Sequence, residues 1–172
     1  MRTKTFYTMA TVALLSTVLL AQSVTFDFDR AANFSSFKTY AWTRGNPVGD
    51  DLNHQRIVRA IDAQLAGKGM VRIEAAAGPD VLVAYHASFD RDLQINAFGI
   101  GWGPVAGRTG SARVEEVTVG TLAVDLVDAT TRNIVWRAMA SKDLDPNAKP
   151  EKRDKNINSA AQKLFKNYPP KS

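Results

Sequence analysis

The chain of 172 residues contains no cysteine and only two histidines. Without cysteine, disulfide bonds, thiolate nucleophiles and thiolate metal ligands are all excluded. The histidines, His54 and His86, are not accompanied by further ligands at the ordered spacing that a zinc site needs. We therefore expect neither a metal nor a cofactor, and we expect the domain to depend on its hydrophobic core for stability.

The sequence also lacks a strong charge of one sign. It has 22 Lys and Arg residues against 17 Asp and Glu residues, a formal net charge of +5. This mild excess is not concentrated in a basic stripe of the kind that binds nucleic acid. We therefore expect no nucleic-acid partner.

The N-terminal segment, residues 1–23, predicts a cleavable signal peptide. Arg2 and Lys4 give it a positive start, and Thr8–Leu20 is almost free of large polar side chains. This apolar run is shorter than the roughly 20 residues that span a bilayer, but it has the length of a signal-peptide h-region. Small residues precede the expected cleavage after Ser23. The alternative is a buried N-terminal helix.

Cleavage after Ser23 would leave one domain, residues 24–172, in the periplasm, without a transmembrane segment. Alternating apolar residues predict several strands, and two apolar stripes predict helices. The first stripe includes Ile61 and the second includes Leu164. The order of strands, helix, strands and helix predicts an α+β fold: a mostly antiparallel β-sheet with two helices packed on one face.

The longest strand pattern, Val114–Val127, changes its apolar positions from odd to even partway along. Gly120 lies where the change occurs. Side chains alternate strictly along a strand, so a change of face predicts one extra residue, and we expect a β-bulge at Gly120. The pattern returns over Asn133–Ala140, which predicts a hairpin.

A glycine-rich segment, residues 90–110, predicts a long, mobile connection between strands. Phe98 and Trp102 are large apolar residues within it. They either fold back onto the domain or bind a partner, with Trp102 as the hot spot. Phe98 and Trp102 are thus the candidate partner-binding residues.

Acid pairs are the first candidates for catalysis. A glycosidase needs two carboxylates about 5–10 Å apart across a cleft, and Asp90 and Asp92 have a suitable spacing for one face of a strand. Surface strands and turns also contain such acids without catalysing anything. The other acid pairs are Glu115 with Glu116 and Asp125 with Asp128.

Two further motifs lack the context that their chemistry requires. Ser88, His86 and Asp90 could form a hydrolase triad, but nothing predicts an oxyanion hole or a nucleophile elbow. Residues 101–106 match G-x-G-x-x-A, but Pro104 and further glycines follow where a phosphate-binding helix should begin. We expect a hydrogen-bonded structural histidine and a hairpin connection, respectively.

Four basic residues cluster at the second predicted helix. They could contact anionic lipid headgroups or glycan, or they could simply form a solvated helix face. They are Lys149, Lys152, Arg153 and Lys155.

Four blocks of the sequence resemble a known family. They are Asn33–Trp42, Pro79–His86, Gly120–Arg137 and Asn167–Pro170. In this order they resemble the bacterial envelope family called domain of unknown function 4136. The resemblance implies an envelope protein and transfers no catalytic residues.

Members of that family are commonly lipoproteins whose lipobox ends in an acylated cysteine. Here Leu19-Leu20-Ala21 is similar to the start of a lipobox, but Gln22 stands where the cysteine would be. The lipid anchor that the resemblance implies is therefore not expected, and we expect a soluble protein after cleavage.

These observations together predict a non-catalytic periplasmic domain that acts through contacts with another envelope protein or with the envelope itself. The alternative is a hydrolase that acts on an envelope polymer through Asp90 and Asp92. A catalytic site requires polar residues to converge in a concave pocket, whereas a binding module presents exposed apolar side chains.

Overall fold

A six-stranded sheet and two α-helices make up the part of the chain that the computed structural model describes, residues 23–97 and 112–171. The predicted α+β class is confirmed. The elements are β1 (Ser23–Phe28), β2 (Thr39–Trp42), α1 (Asp51–Gly67), β3 (Val71–Arg72), β4 (Val81–Ala97), β5 (Ala112–Asp128), β6 (Ile134–Leu144) and α2 (Pro150–Leu164).

The strands lie in the order β1-β6-β5-β4-β2-β3. The pairs β4–β5, β5–β6 and β6–β1 are antiparallel, while β2 runs parallel to both β3 and β4. The parallel pairing follows from α1, which connects β2 to β3 and returns the chain to the same end of the sheet. The sheet is thus mostly antiparallel, as predicted.

Both helices pack against one face of the sheet and form a single core with it. Ile61 of α1 and Leu164 of α2 are 0% and 1% exposed, and the side chain of Trp136 on β6 is fully buried between neighbouring strands and α2. The apolar stripes of the helices therefore indicated the correct core residues. Leu122 on β5 is half-buried and packs against this core.

The predicted β-bulge at Gly120 is wrong. Gly120 pairs with Phe89 on β4 and with Lys142 on β6 without a break in register, and the one shift between β5 and β6 lies between Leu126 and Val127. The apolar positions change because β5 extends beyond the helices, so the same face is covered at one end and uncovered at the other. The glycine has a different role, because a Cβ atom there would collide with the Leu144 side chain.

The predicted connection at residues 90–110 is also corrected in part. Strand β4 continues to Ala97, and its partner β5 begins at Ala112. Polar and apolar residues alternate over residues 92–97, which is the pattern of a strand. A long two-stranded arm therefore extends beyond the helices, and Phe89 lies at its base.

Candidate functional site

A buried acid lies on the face of the sheet that points away from the helices. The side chain of Asp125 is 5% exposed and accepts hydrogen bonds from Arg137 Nε and Nη2, each at 2.6 Å. His86 Nε2 lies 3.3 Å from the second oxygen of the same carboxylate. These three side chains meet because β4, β5 and β6 are neighbours in antiparallel register.

This cluster is centred on a bidentate ion pair. Both carboxylate oxygens of Asp125 are engaged by the guanidinium of Arg137, and the hydrogen bond to Asp125 raises the pKa of that guanidinium. A bidentate pair of this kind holds the two side chains in a defined geometry. The hairpin of β5 and β6 pairs Asp125 directly with Arg137.

Two of the other acids of the sequence prediction have described side chains, and they lie apart from this cluster. Asp90 is exposed and accepts a hydrogen bond from Ser88 Oγ at 3.5 Å. Asp128 accepts hydrogen bonds from the backbone of Thr130 and Thr131, and the bond from Thr131 lowers its pKa most. The side chains of Asp92, Glu115 and Glu116 lie outside the described residues.

The proposed set of Ser88, His86 and Asp90 is not assembled as a triad. His86 contacts Asp125, which lies on the neighbouring strand, rather than Asp90. The second histidine, His54, shares a 2.6 Å hydrogen bond with the Tyr85 hydroxyl. Both histidines thus have polar partners within the fold, in agreement with structural roles.

Phe98 and Trp102, the two candidate partner-binding residues, lie outside the described residues, as does the G-x-G-x-x-A stretch at residues 101–106. Their predicted roles remain predictions. Within residues 23–97 and 112–171, no group of three His, Asp or Glu side chains is placed to hold a metal ion. In the same part of the chain, no helix is long and apolar enough to cross a membrane.

An apolar cleft lies between the sheet and the first turns of both helices. Its volume is about 300 Å³, at the lower end of the range for small-molecule sites, about 300–1,000 Å³. The sheet supplies one wall and the helices supply the other, so the cleft exists only in the folded domain. Its main apolar lining residues are Ile57, Ala87, Phe89, Leu122, Leu144 and Ile157.

Two features of the cleft stand out. Phe89 is 59% exposed where the arm leaves the helices, although an exposed phenyl ring costs free energy in water. Lys142 and Arg153 also line the cleft, so cations adjoin its apolar wall. The sequence predicted neither feature as a site, although Arg153 belonged to the basic cluster.

The family model described as "Domain of unknown function (DUF4136)" matches residues 24–170. The chain belongs to the DUF4136 family. This match confirms the resemblance that the four sequence blocks indicated. No curated protein matches the chain significantly.

Solved structures show the same fold as this DUF4136 domain. A DUF4136 family protein from Bacteroides thetaiotaomicron aligns with a TM-score of 0.52 and 13% identity, covering 86% of this chain and 96% of that one. A PelC dodecamer from Paraburkholderia phytofirmans aligns with a TM-score of 0.53 and 12% identity, covering 84% of this chain and 95% of that one. A PDZ domain protein from Parabacteroides distasonis aligns with a TM-score of 0.59 and 14% identity over 88% of this chain. This chain spans only 37% of that protein.

The blocks that resemble the DUF4136 family hold the fold together. Asp80 accepts hydrogen bonds from the Lys38 and Thr39 amides and from the Thr39 hydroxyl, each at 2.8 Å, and these bonds lower its pKa. Trp136 and Tyr168 pack edge to face with ring centroids 5.4 Å apart. Residues from separate blocks thus contact each other in the folded domain.

Proposed function

We propose that this DUF4136 domain is a non-catalytic component of the cell envelope that acts by binding, with the apolar cleft as its contact surface. The observation that supports this most directly is the exposed Phe89 ring at a cleft lined mainly by apolar side chains. What distinguishes Phe89 from the other exposed apolar side chains is that it adjoins an apolar cleft, and concave apolar sites of this kind are where ligands and partners bind.

The geometry does not favour the hydrolase alternative. Hydrolysis by two carboxylates needs them to face each other across a cleft. Asp90 is exposed on the face of the sheet that carries His86, whereas the cleft lies on the helix face. The buried carboxylate, Asp125, is engaged by Arg137.

Export is part of the same proposal. The family match begins at residue 24, the first residue after the proposed cleavage position. We expect protein recovered from the periplasm to begin at or close to Val24, because signal peptidase reads the small residues that precede it. N-terminal sequencing of that material tests this, and Met1 retained on cytoplasmic protein would contradict it.

The proposed partner is another envelope protein, and a second copy of the chain is one form that such a partner could take. PelC, which shares the fold at 12% identity, forms a dodecamer. Size-exclusion chromatography with light scattering of the purified protein separates self-association from binding of a different protein.

Photo-cross-linking in the native host tests the contact surface. Phe89 is replaced by p-benzoylphenylalanine, and Val71, an equally exposed residue on the edge strand β3, receives the same change as a control. The two side chains are 59% and 60% exposed, so accessibility is matched. We expect a discrete adduct from position 89 and none from position 71.

Equal adducts from both positions would show that labelling follows exposure alone and would contradict a contact at the cleft. An adduct from position 71 alone would move the binding surface to the β3 edge. Replacing Asp90 by Asn serves as a further control, and we expect the adduct at position 89 to persist in that variant.

A further inference from the structure

The cleft has the volume for a single alkyl chain. A volume of about 300 Å³ holds about ten groups of ~30 Å³, the volume that a water molecule occupies in the liquid. This is enough for one chain of about ten to twelve heavy atoms and too small for a lipid with two acyl chains. Leu122 and Leu144 on the sheet and Ile57 and Ile157 on the helices provide the apolar contact.

The charges beside the cleft favour an anion. Lys142 Nζ donates to Asn156 Oδ1 at 2.8 Å, and Arg153 donates to the carbonyl oxygens of Ala148 and Pro146 at 2.9 and 3.0 Å. All of these acceptors are neutral. Within the part of the chain that the structure describes, neither cation forms a salt bridge with a carboxylate.

The one acid among the described lining residues offsets the positive charge only in part. Asp145 is paired with Lys152, whose Nζ lies 3.0 Å from the carboxylate, and this hydrogen bond, together with the charge of Arg153, lowers the pKa of Asp145. Lys142, Arg153 and Asp145 line the cleft together, so a net charge of +1 lies beside the apolar wall, and among the described residues Lys142 has no carboxylate partner. A ligand carboxylate there would form charge-assisted hydrogen bonds.

We propose that the cleft binds a single-chain anionic amphiphile, a fatty acid of about ten to twelve carbons, with its alkyl chain between the sheet and the helices and its carboxylate at Lys142 and Arg153. This inference rests on the proposed function, since it uses the same cleft: the fatty acid would fill the space between the sheet and the helices, and the protein partner would contact Phe89 at its exposed rim. Each methylene that leaves water favours binding, and the two cations select the anionic head.

Gly120 provides a way to close the cleft without touching the cations. A Cβ atom at this position would collide with Cδ1 and Cγ of Leu144. Since Leu144 lines the cleft, a larger residue at 120 displaces that flexible side chain into the space of the alkyl chain. Gly120 lies within a regular strand, so Gly120→Val is compatible with the backbone and with β propensity.

The experiment is calorimetric titration of the purified protein with monomeric dodecanoate, dodecanol and dodecyltrimethylammonium. We expect dodecanoate to bind one site per chain and both other probes to bind at least about tenfold more weakly. Lys142→Gln and Arg153→Gln should each weaken dodecanoate binding by about tenfold, and Gly120→Val should abolish it. Lys163→Gln, at an exposed position on the same helix that does not line the cleft, should leave binding unchanged.

Thermal unfolding of each variant shows whether the fold is kept. If Arg153→Gln unfolds, Lys142→Gln alone tests whether a cation binds the carboxylate. Equal affinity for dodecanol would overturn the role of the cations, and binding that survives Gly120→Val would place the ligand elsewhere. Binding to anionic phospholipid vesicles but not to monomeric dodecanoate would show a membrane surface contact instead. If dodecanoate fails while position 89 still cross-links to a protein, this inference falls and the proposed function stands.

Discussion

Replacing Leu164 by alanine should lower the free energy of unfolding by about 2–5 kcal/mol. Leu164 is 1% exposed and belongs to the core cluster shared by α2, α1 and the sheet. Its removal leaves a cavity that the regular strands beneath it cannot close. Urea denaturation followed by far-UV circular dichroism measures the change.

Leu52→Ala is the matched control for this substitution. Leu52 makes the same side-chain change in the first turn of α1, but it is 62% exposed, so we expect an effect within about 0.5 kcal/mol. A loss below about 0.5 kcal/mol for Leu164→Ala as well would show that α2 is not docked on the sheet.

Replacing Asp62 by alanine should lower the free energy of unfolding by about 3 kcal/mol, since two donors then lose their acceptor. Asp62 Oδ1 accepts from the Tyr40 hydroxyl at 2.7 Å and from Trp42 Nε1 at 2.9 Å. Tyr40 is 2% exposed, and its burial and the bond to Asp62 both raise the pKa of its hydroxyl. Asp62 thus ties α1 to β2.

A double-mutant cycle with Tyr40→Phe tests this mechanism. In the phenylalanine background the hydroxyl is absent, so Asp62→Ala should cost at least about 1 kcal/mol less than in the native chain. Additive losses in the denaturation midpoints would show that Asp62 acts through Trp42 Nε1 or through Arg72, which lies 3.1 Å from Oδ2, and not through the buried tyrosine.

Both stability predictions concern residues that keep the helix layer on the sheet, and this layer forms one wall of the cleft. The binding proposals therefore depend on the same packing that the substitutions probe. Variants at Phe89, Lys142 and Gly120 lie outside the core cluster, so they change the cleft while leaving that packing in place.

The local sequence pattern was sufficient to predict the α+β class and both helix stripes. Apolar periodicity reports which face of an element is buried, and this property is local. It was insufficient at Gly120. There, a change of the apolar positions from odd to even can arise from a bulge or from a strand that extends beyond the helices that cover it. Periodicity does not report the length of the opposite layer, so only the packed helices distinguish the two.

The candidate site could not be predicted because its residues come from separate elements. Phe89, Lys142 and Arg153 lie on β4, β6 and α2, and nothing in their spacing links them. The ion pair of Asp125 and Arg137 was easier to predict, since both residues lie in one predicted hairpin. To pair these two residues, one must know that the register of the hairpin shifts between Leu126 and Val127, and the sequence pattern does not reveal that shift.

By itself, the sequence determined the absence of cysteine chemistry, the predicted export signal, the order of strands and helices, and the family resemblance. These are properties of composition and of neighbours along the chain. Only the tertiary structure decided that Asp90 lies on the face of the sheet away from the cleft, that Gly120 accommodates Leu144, and that two cations border an apolar cleft. Such arrangements depend on distances between residues far apart in sequence, and those distances are set when the helices pack on the sheet.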